Sequence, residues 1–123
     1  MDTAEIAADA RYALNSGIID AIQSAPAGAE VEVAHSLSEG HDKDYGTSQT
    51  TYIAVRVDDT WVARVTYSLP AEPDDDGLVY WRAFEAADSE ITTELESHGV
   101  DCAGCSTFGT GWSVTFPRST WTA

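Results

Sequence analysis

Lysine is almost missing from this chain. Lys43 is the only one, and with five arginines it faces 21 Asp and Glu, leaving a formal charge of -15 over 123 residues. Such a deficit of cations excludes general affinity for nucleic-acid phosphates or anionic lipid, which this surface repels. Apolar runs of the ~20 residues that a membrane helix needs are also missing, and the N-terminus has neither the basic start nor the apolar stretch of a signal peptide. A cytoplasmic protein with no membrane contact is expected. Catalytic constellations are missing too. There is no Gly-x-Ser-x-Gly elbow and no serine with a recognisable base nearby. The glycines of Gly104 to Gly111 lack the Gly-Lys-Ser/Thr ending of a phosphate loop and the fingerprint of a dinucleotide site. The pair Cys102 and Cys105 lacks the His-x-Glu and the preceding Pro of a zinc deaminase. These absences point away from an enzyme.

What is present suffices for a packed interior: 43% hydrophobic residues, with four Trp, five Tyr and three Phe. The length suits a single domain spanning residues 1–123. Ile6, Ala10, Leu14, Ile18 and Ile22 recur every four residues and predict a long N-terminal helix, stopped by Ala25-Pro26-Ala27-Gly28. Gly17 interrupts that stripe and suggests a close approach to the sheet. Val31, Val33, His35 and Leu37 alternate with polar residues as in a half-buried strand. Residues 39–50 are polar and read as a loop. Ile53, Val55 and Val57, the turn Asp58-Asp59-Thr60, and Trp61, Ala63, Val65, Tyr67 and Leu69 form the clearest hairpin. After an acidic loop, Leu78 to Phe84 reads as a fourth strand, with Val79, Trp81 and Ala83 on one side. Asp88 then caps a short helix ending at Gly99, and Trp112, Val114 and Phe116 form a last strand. The expected fold is a two-layer α+β domain: an antiparallel meander of four to five strands under a long N-terminal helix, in the order α-β-β-β-β-α-β.

Candidate binding residues fall into three groups. Asp42, Asp44, Tyr45, Asp58, Asp59, Asp74, Asp75 and Asp76 lie in predicted turns, where carboxylates are free to meet a basic protein. A calcium loop needs acids at regular alternate positions and a closing Glu, which nothing here continues. The second group is the open sheet face. If odd-numbered residues face the helix, Tyr52, Arg56, Val62, Arg64, Tyr80 and Arg82 share the other side, bringing together three of the five arginines. Cross-strand pairing with acids is the favoured role for these arginines. An interface with a partner, or with a second copy as a homodimer, is the other, since Tyr and Arg are enriched at hot spots. The third group is His98, Cys102 and Cys105, whose His-x3-Cys-x2-Cys spacing suits zinc. Only His35 or His41 is left to complete four ligands, and a local disulfide or two plain thiols fit the same residues. No other cofactor is expected.

In size, acidity and lack of catalytic residues the chain resembles phage-encoded inhibitors of host defence, anti-CRISPR and antirestriction proteins among them. That resemblance covers bulk properties and implies no residue roles. It implies a DNA mimic that blocks a basic, nucleic-acid-handling protein in the host cytoplasm. Acidic immunity proteins and acidic chaperones share the same properties. The rival expectation is a haloadapted cytoplasmic domain, because hydrated carboxylates without lysine also suit a salt-rich interior. Salt adaptation predicts a melting temperature that climbs steeply between dilute buffer and molar KCl, where the Debye length falls to about 3 Å. A melting temperature that barely moves in a thermal scan removes that explanation.

Overall fold

The computed structural model describes residues 3–42, 46–68, 78–102, 106–108 and 111–123. Its elements are α1 (Thr3–Ala13), a π-type turn (Leu14–Ile18), α2 (Ile19–Gln23), β1 (Glu30–Asp42), β2 (Gly46–Val57) and β3 (Thr60–Ser68), then α3 (Leu78–Ser97), β4 (Ser106–Phe108), β5 (Gly111–Pro117) and a 3-10 turn (Arg118–Thr120). The strands form one antiparallel sheet in the order β3-β2-β1-β5-β4. This is an α+β domain with an antiparallel sheet. No helix among the described residues is long and apolar enough to cross a membrane.

Alternation sorts the sheet's side chains as expected. Val31, Val33, His35, Ile53 and Val55 are buried on one face with Trp112, Val114 and Phe116. The helices supply Ala10, Leu14, Ile18, Ile22, Phe84, Ala87, Ile91 and Leu95 to the same core. Fully burying a Leu, Ile, Val or Phe side chain is worth ~1.5–3 kcal/mol, so this shared layer is the main source of stability. Among the described elements, none covers the opposite face.

Three expectations change. Leu78 to Phe84 is not a strand but the first two turns of α3, so the order is α-β-β-β-α-β-β. Seven residues that alternate can equally continue a helical stripe. Phe84, Ala87, Ile91 and Leu95, all buried, run at helical spacing through the segment, and Asp88 lies inside the helix rather than at its cap. Residues 39–42 and 46–50 extend β1 and β2 as paired strands instead of forming a loop, with Asp42 opposite Gly46. Backbone pairing needs no apolar alternation, which is why polarity misled there. The N-terminal helix, finally, breaks at Ser16 and Gly17. An added Cβ at Gly17 would touch nothing within 4 Å, so close packing is not the reason for glycine. The reason is its φ of 131°, which L side chains avoid.

Other signals hold. Gly99, at φ 92°, ends α3 in a Schellman arrangement: the Val100 N–H donates to Leu95 O (3.1 Å) and the Gly99 N–H to Glu96 O (3.0 Å). Val100 and Leu95 are both buried beside it. Asp58-Asp59 makes a two-residue turn in which Asp58 takes φ 50°. The register of β2 and β3 slips there, with Val55 opposite Ala63 but Arg56 opposite Trp61, so Val62 is an extra bulged residue. The bulge turns Trp61 onto the open face, where alternation alone would have placed Val62.

Gly111 has a steric duty, since a Cβ there would come within 2.5 Å of the His35 carbonyl oxygen and 2.9 Å of the Ser36 Cα. Gly111→Ala is therefore expected to destabilise by about 1–3 kcal/mol in urea unfolding, the usual cost of overpacking. Gly28→Ala, with nothing within 4 Å of the new Cβ, is the near-neutral control.

Candidate functional site

A histidine on the apolar side of a central strand must find partners for two ring nitrogens, and His35, with no exposed surface, does so. Its Nδ1 donates to the carboxylate of Asp88 on α3, which can only accept. In the neutral ring that proton leaves Nε2 to accept from the Tyr67 hydroxyl of β3 at 2.6 Å. The same Asp88 oxygen accepts from the Trp112 indole of β5 at 2.5 Å. Phe84 stacks on the imidazole (centroids 4.4 Å apart), and Trp112 meets it edge-on at 6.1 Å. On β2, the buried Thr51 hydroxyl donates to the Tyr67 carbonyl at 2.9 Å.

The order carboxylate, imidazole, hydroxyl is that of a nucleophile triad, with a phenol at its end. Burial, the largest cause, pushes the Tyr67 pKa well above that of a free tyrosine. The phenol therefore keeps its proton at neutral pH, and the chain of hydrogen bonds holds protons in place. Asp88 reaches the surface, with a quarter of its side chain accessible. Alternation with Val31 and Val33 puts His35 on the buried face but carries no sign of its partners. The available signal was Asp88 next to the Phe84–Ala87–Ile91 stripe, which a helix beginning at Leu78 would have revealed.

The predicted surface residues separate. Arg56 on β2 is committed: its Nε donates to Glu32 at 2.9 Å and its Nη2 to Glu30 at 3.2 Å, with a further bond to the Asp58 carbonyl. These acids raise its pKa, the Glu32 hydrogen bond most. The expected cross-strand pairing thus holds for Arg56. Arg64 on β3 instead lies over the Tyr52 ring at 4.2 Å, a cation–π contact worth ~0.5–1 kcal/mol at an exposed site. Tyr80 and Arg82 belong to α3 and do not share the sheet face.

Of the turn acids, Asp58 and Asp59 are exposed. Asp58 is not spare, because its Oδ1 accepts the Glu30 N–H at 3.0 Å. Asp42 closes β1, and its side chain lies outside the described residues, as do Asp44, Tyr45, Asp74, Asp75 and Asp76 altogether. Among the described residues, no three His, Cys, Asp or Glu form a metal-binding group. His98 has both nitrogens engaged, Nδ1 with Thr122 O at 2.6 Å and Nε2 with Glu94 at 3.1 Å, and it stacks on Trp121 at 4.0 Å. Cys102 is half-buried against the core, and Cys105 lies outside the described residues.

Tyr67→Phe keeps the ring but strands the His35 Nε2, so a loss of about 1–3 kcal/mol is expected in urea unfolding at pH 7. The pH dependence has a definite sign. The folded state holds the Tyr67 proton more tightly than the unfolded chain, whose tyrosines release theirs near pH 10. The linked stability is fully present below pH ~10 and is lost as pH rises beyond it. Tyr67→Phe should flatten that alkaline limb, and an unchanged slope would assign it to other groups. Compared with models of known families, with curated proteins and with solved structures, the chain matches none, and its function is inferred from its own residues.

Proposed function

We propose that this chain is a small, non-enzymatic acidic binding protein that blocks a basic, nucleic-acid-handling partner, its carboxylates standing in for DNA phosphates. One observation carries the proposal: Asp20, Asp59, Glu85 and Glu96 are exposed and have no cationic partner among the described residues. Three of the arginines are engaged elsewhere, Arg11 with Glu90, Arg56 with Glu30 and Glu32, and Arg118 with the carbonyls of Gln23 and Trp121. Glu85 and Glu96 stand about three turns apart on one side of α3, a rigid mounting for repeated negative charge. A partner evolved for a phosphate array presents the complementary lysines and arginines, and encounter with it is fast and weakened by salt. In the setting of phage defence the partner is a CRISPR or restriction nuclease and the site of action the host cytoplasm.

The lone Lys43 favours a second explanation, salt adaptation of the whole surface, which the melting experiment above separates from this one. The direct test is plasmid cleavage by a panel of purified restriction and CRISPR nucleases with the protein added. Inhibition of a member of the panel is expected, relieved by raised salt. Replacing Asp59 with Asn and Glu85 and Glu96 with Gln, or Asp74, Asp75 and Asp76 with Asn, should weaken it about tenfold or more, equivalent to ~1.4 kcal/mol. Cleavage unaffected throughout the panel, or inhibition indifferent to salt and to both sets of substitutions, overturns the proposal.

A further inference from the structure

The bulge at Val62 gives the open sheet face a feature that regular alternation would not. It turns Trp61 away from the helices, so its indole is 54% exposed beside Val62 at 50%. Between Trp61 and Tyr52 the floor is Ala54, a small residue that is 5% exposed. Arg64, directly across from Ala54 in the register, closes a third side. Together they bound a groove of about 400 Å³, within the range of clefts that hold small molecules.

The charge of this groove sets it apart. In a chain with 21 acids, β2 and β3 contain none, and the charged residues of the two strands are Arg56 and Arg64. Arg56 is neutralised by Glu30 and Glu32. Arg64 has no carboxylate partner among the described residues, and its guanidinium carbon lies 4.2 Å from the centroid of the Tyr52 ring. No hydrogen bond or ion pair engages the guanidinium among the described residues, so its N–H edge is available. Two parallel N–H groups on such an edge match the two oxygens of a carboxylate. A cationic ligand would be repelled by Arg64, and an uncharged one would leave that edge unused. The exposed indole offers a ring face, which favours a planar partner.

We propose that this groove binds a small aromatic carboxylate, with its ring against Trp61 and its carboxylate on Arg64. The site lies on the sheet face and draws on none of the acids invoked for the basic partner, so each proposal stands or falls alone.

Indole-3-acetate is the probe, titrated into the full chain and followed by the indole N–H of Trp61 and the Nε–H of Arg64 in proton–nitrogen spectra. Saturable shifts of both are expected. Indole without the carboxylate, and acetate without the ring, should each bind at least about tenfold more weakly. Arg64→Ala and Trp61→Ala should each weaken binding by at least about tenfold. Both side chains are exposed, so unchanged melting temperatures will confirm that the variants fold. Ala54→Leu, which fills the floor, should abolish the shifts. No saturable shift up to about 10 mM probe, indole binding as tightly as indole-3-acetate, or affinity that survives Arg64→Ala overturns the proposal.

Discussion

The demand of a fully buried imidazole for two hydrogen-bond partners governs how this domain is assembled. His35 sits on β1, but its partners come from β3 and α3, and β5 joins through the shared carboxylate of Asp88. β3 and β5 lie on opposite sides of the β1–β2 pair, so the network spans most of the sheet and ties it to the helix above. Each missing partner would leave a buried polar group unpaired, at ~1–3 kcal/mol, a sizeable share of the 5–15 kcal/mol that stabilises a typical domain. A one-residue slip of β1 would turn His35 to the open face and bring Ala34 or Ser36 inward, breaking both imidazole bonds at once. Asp88 also supplies what geometry alone does not: by accepting from Nδ1 it selects the tautomer whose Nε2 accepts from Tyr67.

How legible this was depended on whether a signal was local. The inward positions Val31, Val33, His35, Ile53 and Val55 and the four-residue recurrence of Ala10, Leu14, Ile18 and Ile22 are properties of one segment at a time, and they matched the structure. Gly99 was legible for the same reason, because a Schellman motif closes within a few residues. Leu78 to Phe84 was not, because alternation over one short segment does not tell strand from helix. What decides it is the burial of Phe84 and Ala87 on the same side as Ile91 and Leu95, a fact about the helix's far end. The Val62 bulge was hidden because it is a relation between strands: Trp61 and Ala63 look equivalent until Arg56 is seen opposite Trp61. The His35 network joins residues 35, 67, 88 and 112, and no spacing in one segment announces it.

The candidate surfaces were legible in the same uneven way. Arg56 and Arg64 were placed correctly on the open face, since they belong to a hairpin read in full. Tyr80 and Arg82 were lost with the strand that was a helix. Asp58 showed that a turn carboxylate can be occupied by a neighbouring strand: its side chain accepts the N–H of Glu30, the first residue of β1.

Charge, finally, is distributed by element rather than spread evenly. β1 carries Glu30, Glu32 and Glu39 together with Asp42, and α3 carries five acids, whereas β2 and β3 carry only cations. In a chain of net charge -15, exposed acids such as Glu85 and Glu96 of α3 stand where water screens their repulsion. The two acid-free strands then form a neutral-to-positive strip, and the arginines on it behave differently because their neighbours differ. Arg56 stands beside the acidic start of β1 and is satisfied there. Arg64, on the outermost strand, is beyond the reach of those glutamates and rests on an aromatic ring instead. Strand order alone thus decides which arginine is structural and which is left to meet something from outside.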